Sequence, residues 1–110
     1  MATTYKNAQL QGTASVSTYG TLYNTGASTT AVLSTLVICN TAASSATYRI
    51  GIMTTAGTPA AENWIAYDAT VGANDTVFIG AGIALSNTQY IRVSSSANTV
   101  TFSAYISEIS

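Results

Sequence analysis

The chain has 110 residues, a formal net charge of −1 and no histidine. Only 6% of its residues are charged, against about a quarter in typical soluble domains, so the composition excludes a basic patch for nucleic acid. The missing histidine excludes Ser-His-Asp and Cys-His catalysis and removes the commonest metal ligand. The length is typical of one domain, and we predict a single domain over residues 1–110.

Turn-forming residues separate segments rich in Thr, Val, Ile and Tyr along the whole chain. Such spacing is typical of sandwiches and barrels, and no segment repeats apolar residues at helical spacing. We predict an all-β fold, a single antiparallel sandwich of about eight strands that is either immunoglobulin-like or jelly-roll-like. The predicted strands lie near residues 3–10, 19–24, 30–40, 46–53, 63–69, 75–80, 89–95 and 99–109.

The N-terminal segment does not resemble a targeting signal. Residues 1–4 do not form a basic region followed by an apolar stretch, so we expect no signal peptide and synthesis in a cytoplasm. The longest apolar run is far shorter than a membrane span, so we expect no membrane partner.

The predicted strand 30–40 is apolar on both of its faces. Strict alternation places Val32, Leu36 and Ile38 on one side and Leu33, Val37 and Cys39 on the other. A two-sheet sandwich buries only one face of a strand, so the second face meets either another chain or a loop or the N-terminal segment of its own chain. Leu33 and Val37 are our candidates for an intermolecular contact. Cys39, the only cysteine, is predicted to be a buried and unreactive thiol.

Later strands alternate apolar and polar residues and predict one buried face each. Arg49 and Arg92 lie opposite the core, where we predict that they contact tyrosines and a carboxylate on a partner chain. The alternative is two solvated charges that limit aggregation. The predicted core consists of Tyr48, Ile50, Ile52, Ile65, Tyr67, Val77, Ile79, Ile91, Val93, Phe102, Ala104 and Ile106.

Aromatic side chains supply the main binding chemistry of this sequence. Trp64, Tyr90 and Tyr105 are predicted to point away from the core. Tyr and Trp are enriched at protein interfaces, and we favour that role for them over stacking on sugar rings.

The four carboxylates do not form a predicted catalytic or metal-binding pair. Asp68 with Asn74 and Asp75 is the one conceivable calcium nucleus, but a turn explains these residues equally well. We therefore predict no enzyme activity, no catalytic residue, no metal and no cofactor.

Several short motifs together resemble a known class of proteins. They are TLY at 21–23, LVICN at 36–40, ATYRI at 46–50, WIAYD at 64–68, ANDTV at 73–77 and FSAYISEI at 102–109. The pattern resembles small virion structural proteins of tailed bacteriophages, particularly phages of cyanobacteria and other aquatic hosts. The resemblance implies a virion component without catalytic residues, and it leaves capsid or tail placement open.

These observations predict a virion structural protein, either a capsid decoration (cement) protein or a tail-attached subunit. The low charge indicates a homo-oligomer, with a trimer favoured, that binds other virion proteins. The alternative is a receptor- or glycan-binding module displayed on the virion, which uses Trp64 and the outward tyrosines.

Overall fold

The computed structural model describes residues 3–80 and 82–109, in which nine strands and one short 3-10 helix, Ala61–Asn63, are found. The strands are β1 (Thr3–Gln11), β2 (Gly20–Asn24), β3 (Thr30–Asn40), β4 (Ala46–Met53), β5 (Trp64–Val71), β6 (Thr76–Ile79), β7 (Ile83–Leu85), β8 (Tyr90–Ser95) and β9 (Val100–Ile109). The predicted all-β antiparallel sandwich is confirmed. Every predicted strand is present with its ends shifted by at most two residues, and only β7 was not predicted.

The strands form two antiparallel sheets that pack face to face. Sheet I has the order β1-β9-β3-β6, with β7 also paired to β3, and sheet II has the order β2-β8-β4-β5. Because β6 and β7 lie end to end along β3, they serve as one interrupted strand. The first strand then pairs with the last, the second with the second last, and so on inward to the β4–β5 pair. This nested order is that of a jelly roll and not of an immunoglobulin fold.

The core lies between the sheets and follows the predicted alternation in β4, β8 and β9. Phe102 is fully buried, and its ring meets that of Tyr48 edge to face with 6.3 Å between the centroids. The buried residues among those predicted are Tyr48, Ile50, Ile91, Val93, Phe102, Ala104 and Ile106. Ile52, Val77 and Ile79 are half-buried and pack against this cluster.

Strand β5 departs from the predicted alternation. Ile65 and Tyr67, which were predicted in the core, are 37% and 55% exposed. The pairing of β5 with β4 contains two irregularities, one between Trp64 and Ala66 and one at Asp68, whose φ is 53°. Each extra residue reverses the faces of the residues beyond it. The inner face of β5 therefore consists of Ala66, Ala69 and Val71.

A bulge also changes the faces of β3. In the pairing with β9, Ser34 is the extra residue between Leu33 and Thr35. Leu33 therefore points into the core, where it is 1% exposed, and its predicted role in an intermolecular contact is wrong. Val37 lies on the outer face and is half-buried. Cys39 was predicted to be buried, but it is half-buried on the same outer face.

Candidate functional site

The outer face of sheet II is partly covered by two segments of its own chain. Residues 12–19, between β1 and β2, run across β8, where the buried hydroxyl of Ser94 donates a hydrogen bond to a carbonyl of this segment at 2.9 Å. Residues 54–60 fold back so that Pro59 lies on Gly51, where an added Cβ would be only 2.9 Å from the proline ring. These segments lie over β8 and β4, whereas Ile65 and Tyr67 on β5 stay exposed.

Arg92 ties these two covering segments to the sheet. Its guanidinium donates hydrogen bonds to the carbonyl of Gly57 at 3.2 Å and to the carbonyl of Tyr19 at 3.3 Å. A third bond, of 2.7 Å, goes to the hydroxyl of Thr21 on β2. These three hydrogen bonds join the guanidinium to β2 and to both covering segments.

Arg49 is the centre of a second group on the same face, which we call the Arg49 cluster and which consists of Tyr19, Arg49, Trp64, Tyr67 and Asp68. The guanidinium donates to both carboxylate oxygens of Asp68, at 2.7 and 3.1 Å, in a bidentate pair. It also lies 4.1 Å from the ring centre of Tyr67 and donates to the Tyr19 hydroxyl at 3.0 Å. The hydrogen bond from Arg49 lowers the pKa of Asp68.

The Arg49 cluster corrects the prediction that this arginine reaches a carboxylate on a partner chain. Asp68, whose backbone is placed by the second β5 bulge, supplies the carboxylate from within the chain. Arg49 does lie along a tyrosine, as its sequence position indicated, and that tyrosine is Tyr67. The alternative of a solvated charge is also wrong, because the side chain is only 15% exposed.

Replacing Asp68 by asparagine is expected to loosen the 12–19 segment without unfolding the sandwich. Asparagine tolerates positive φ as aspartate does, so the change removes the charge and keeps the backbone. We expect faster amide hydrogen exchange in residues 12–19, because Arg49 also donates to the carbonyl of Val16 in that segment. The control is Asp75→Asn, since Asp75 accepts from the N–H of Thr76 in a turn. Unchanged exchange in Asp68→Asn would show that the cluster does not hold the segment.

At one end of the sandwich, three polar side chains meet between the sheets. Glu108 on β9 accepts a hydrogen bond from the hydroxyl of Tyr23 on β2 and pairs with Lys6 on β1 at 3.1 Å. Its side chain is only 14% exposed. The Tyr23 hydrogen bond, aided by Lys6, lowers the pKa of Glu108 from its ordinary value of 4.5. Burial and the same hydrogen bond raise the pKa of Tyr23.

The Glu108 contact predicts a specific pH dependence of stability. A carboxylate whose pKa is lowered by folding stabilises the folded state fully above its unfolded pKa, and this contribution is lost as the pH falls through the folded pKa. The melting temperature of the wild type should therefore fall more steeply below pH 4.5 than that of Glu108→Gln. Glu62→Gln, in the exposed 3-10 helix, should keep the wild-type slope. Parallel slopes for all three proteins would contradict the prediction.

The outer face of sheet I has a different character, because it carries none of the chain's charged residues. All three cations and all four carboxylates lie between the sheets, on sheet II, in the 3-10 helix or in a turn. We call this surface the uncharged face. It consists of Tyr5, Asn7, Gln9, Gln11, Val32, Thr35, Val37, Cys39, Thr76, Phe78, Ala84, Thr101, Ser103, Tyr105 and Ser107.

Large apolar side chains on the uncharged face are open to solvent. Tyr5 is 81% exposed and Phe78 is 70% exposed, while Tyr105 and Val32 are 43% and 38% exposed. Pairing aligns the side chains in rows across the strands, one of which is Gln9, Ser103, Val37 and Phe78. An exposed face with aromatic residues and no charge has the composition of the centre of a protein interface.

The predicted interface residues are distributed over two faces and the core. Val37 and Tyr105 lie on the uncharged face. Arg49, Trp64, Tyr90 and Arg92 lie on sheet II, and Leu33 lies in the core. Tyr5 and Phe78 were not among the predicted interface residues. The alternation of side chains along a strand could have placed Phe78 on the outer face, because it lies between Val77 and Ile79, which were predicted to point inward.

The carboxylates considered for a metal have other partners. Within residues 3–80 and 82–109, no group of three or more His, Cys, Asp or Glu side chains is close enough to hold a metal ion. Asp68 is paired with Arg49, and Asn74, with a φ of 51°, forms the turn before β6 together with Asp75. The described part of the chain also contains no helix with the length and apolar character needed to cross a membrane.

No protein-family model and no curated protein matches this sequence. Six chains of known structure are similar to it in fold, and two of them belong to infectious bursal disease virus. A chain of the T13 particle of infectious bursal disease virus aligns with a TM-score of 0.57 and 9% identity, over 96% of this chain and 30% of the viral one. A chain of the Gx strain of the same virus aligns with a TM-score of 0.55 and 12% identity, over 98% and 33%. This chain therefore spans about a third of the length of either neighbour.

Proposed function

We propose that this protein is a non-enzymatic structural subunit of a virus particle. The observation that carries the proposal is the jelly roll, which aligns over 96% of the chain with a chain of a viral particle. Jelly rolls recur in viral capsid domains, although lectins and cupins also use them. The missing histidine and the use of Asp68 and Glu108 in ion pairs favour a structural role over catalysis.

Within the particle, the protein acts as a capsid decoration subunit or a tail-attached subunit of a tailed phage, and it is present as a homo-oligomer. The tailed-phage assignment is supported by the short sequence motifs, whereas the structural neighbours come from infectious bursal disease virus. The oligomer is supported by the very low charge and by the exposed aromatic residues of the uncharged face.

The alternative, a glycan-binding module on the particle, receives less support from the geometry. Trp64 is half-buried between Tyr19 and Tyr67, with ring centroids 5.9 and 5.0 Å away. Arg49 and Asp68 beside it are paired with each other, so they are not free to bond sugar hydroxyls.

Quantitative mass spectrometry of purified particles tests the proposed function. We expect the protein to co-purify with intact particles of the virus that encodes it, at a fixed ratio to the major shell protein. A ratio near one indicates decoration of the shell, and a far lower ratio indicates the tail. Absence from washed, intact particles would contradict the proposal, and specific binding to a glycan array would favour the alternative.

A further inference from the structure

The two outer faces of the sandwich differ in what covers them. On sheet II, residues 12–19 and 54–60 lie over β8 and β4 and are held by Arg49 and Arg92, and the exposed strand β5 carries the ion pair of Asp68 with Arg49. The uncharged face of sheet I instead leaves Tyr5 and Phe78 mostly exposed. We propose that the uncharged face is the surface through which two copies of this chain pack against each other. This inference deepens the proposed function, since it names a contact that a particle subunit would make.

The charge distribution identifies a second copy as the occupant. A charged partner surface would lose its hydration against this face without finding a counter-charge, which is costly. A second uncharged face carries no such penalty and no like-charge repulsion. The polar residues of the face are Ser, Thr, Asn, Gln and Tyr, whose hydroxyls and amides both donate and accept hydrogen bonds. The face is therefore complementary to a copy of itself.

The area of the face is large enough for a specific contact. Strand β9 has 10 residues, and four strands at about 4.8 Å spacing and about 3.4 Å per residue give a flat surface of about 600 Å². Two such faces in contact hide about 1,200 Å², which reaches the lower end of the range for stable interfaces. Packing of one sheet on another is also the arrangement that already forms the core of this domain.

A contact in which both copies use the same face has two-fold symmetry. The resulting species is a dimer, and the trimer favoured from the sequence would need a second, different surface. Ser103 on β9 and Val37 on β3 lie on the two central strands of the face, so they lie near the middle of a contact in which the two faces overlap fully. Tyr5 and Phe78 lie on the outer strands, at its margins.

Sedimentation equilibrium of the wild type and of Ser103→Arg tests the contact. We expect a dimer at micromolar concentrations for the wild type. The variant brings two arginines together at the centre of the contact, so we expect its dissociation constant to rise at least about a hundredfold. The matched control is Thr70→Arg, an exposed strand threonine of sheet II, which should dimerise like the wild type. Circular dichroism checks that each variant is folded.

A second variant keeps the test decisive if Ser103→Arg does not fold. Phe78→Ser removes a side chain that is 70% exposed, so the fold tolerates it, and we expect about a tenfold weaker dimer. A wild type that is monomeric at every concentration overturns the inference. A dimer that neither variant weakens overturns it as well, and a trimeric wild type overturns the two-fold arrangement.

The outcomes for the contact and for the proposed function are separable. If the protein is found in purified particles but is monomeric in solution, the proposed contact is contradicted and the proposed function is supported. If Ser103→Arg weakens the dimer but the protein is absent from particles, the proposed contact is supported and the proposed function is contradicted.

Discussion

Replacing Phe102 by alanine is expected to lower the free energy of unfolding by about 3–5 kcal/mol. Phe102 is fully buried on β9 between the two sheets, with the ring of Tyr48 against it. The surrounding core residues cannot readily move into the cavity left by the missing ring, because residues such as Leu36, Ile38 and Ile50 are fully buried and belong to paired strands. Such a loss is a large part of the 5–15 kcal/mol that is typical of a domain.

The sequence offers a matched control, because it contains only one other phenylalanine. Phe78 is 70% exposed, so Phe78→Ala should change the free energy of unfolding of the monomer by no more than about 0.5 kcal/mol. Urea unfolding of both variants, at concentrations at which they are monomeric, measures the difference. A loss below about 1 kcal/mol for Phe102→Ala would mean that β9 does not place this residue in the core.

Alternation predicted the strands and much of the core because most strands here have one buried and one exposed face. In β9, each of Phe102, Ala104 and Ile106 is buried and each intervening residue is less so. The sequence could not reveal the bulges at Ser34 and in β5, since an inserted residue depends on pairing with a distant strand. Leu33, Ile65 and Tyr67 were therefore assigned to the wrong faces.

The choice between a jelly roll and an immunoglobulin fold also depended on long-range pairing. The pair β1–β9 joins residues about a hundred positions apart, such as Thr3 and Ile109, and no local signal in the sequence encodes that partnership. The three-residue strand β7 was missed for a related reason, because Ile83–Leu85 is a strand only through its pairing with the first part of β3.

The candidate contact surface could be predicted only in part. Apolar residues on both faces of 30–40 indicated a second contact surface, and Val37 and Tyr105 do lie on the uncharged face. The arginines were assigned to a partner chain because a strand position does not show which loops fold over it. The structure shows that Arg92 bonds the carbonyls of Gly57 and Tyr19 in such loops.

Asn40, which closes the LVICN motif, has a structural role that was not predicted from the sequence. It is 1% exposed at the end of β3, and its side chain joins three separate loops. The amide nitrogen donates to the carbonyls of Ser44 and Gly72 at 2.8 and 3.1 Å. The amide oxygen accepts from the N–H of Ala42 and from the hydroxyl of Thr99, both at 3.1 Å. All four hydrogen-bonding positions of the amide are therefore used.

Replacing Asn40 by aspartate is expected to lower the free energy of unfolding by about 2–4 kcal/mol at neutral pH. The two side chains have nearly the same shape, so the change leaves the packing intact. The aspartate keeps the two accepted hydrogen bonds but turns a carboxylate oxygen toward the carbonyls of Ser44 and Gly72, which then lose their donor. Thermal unfolding of the wild type and the variant at matched pH measures the loss.

The pH dependence of this loss separates the hydrogen bonds from any effect on packing. Burial of the new carboxyl group against two carbonyl oxygens raises its folded pKa above the unfolded value. The deficit relative to the wild type should therefore shrink as the pH falls through that raised pKa, because the protonated acid can donate one of the two lost bonds. The control is Asn87→Asp, an exposed amide that donates to the carbonyl of Ala27 at 2.9 Å, and it should cost less than about 1 kcal/mol. Equal losses in the two variants, or an Asn40→Asp deficit that does not change with pH, would show that the Asn40 amide does not hold these loops together.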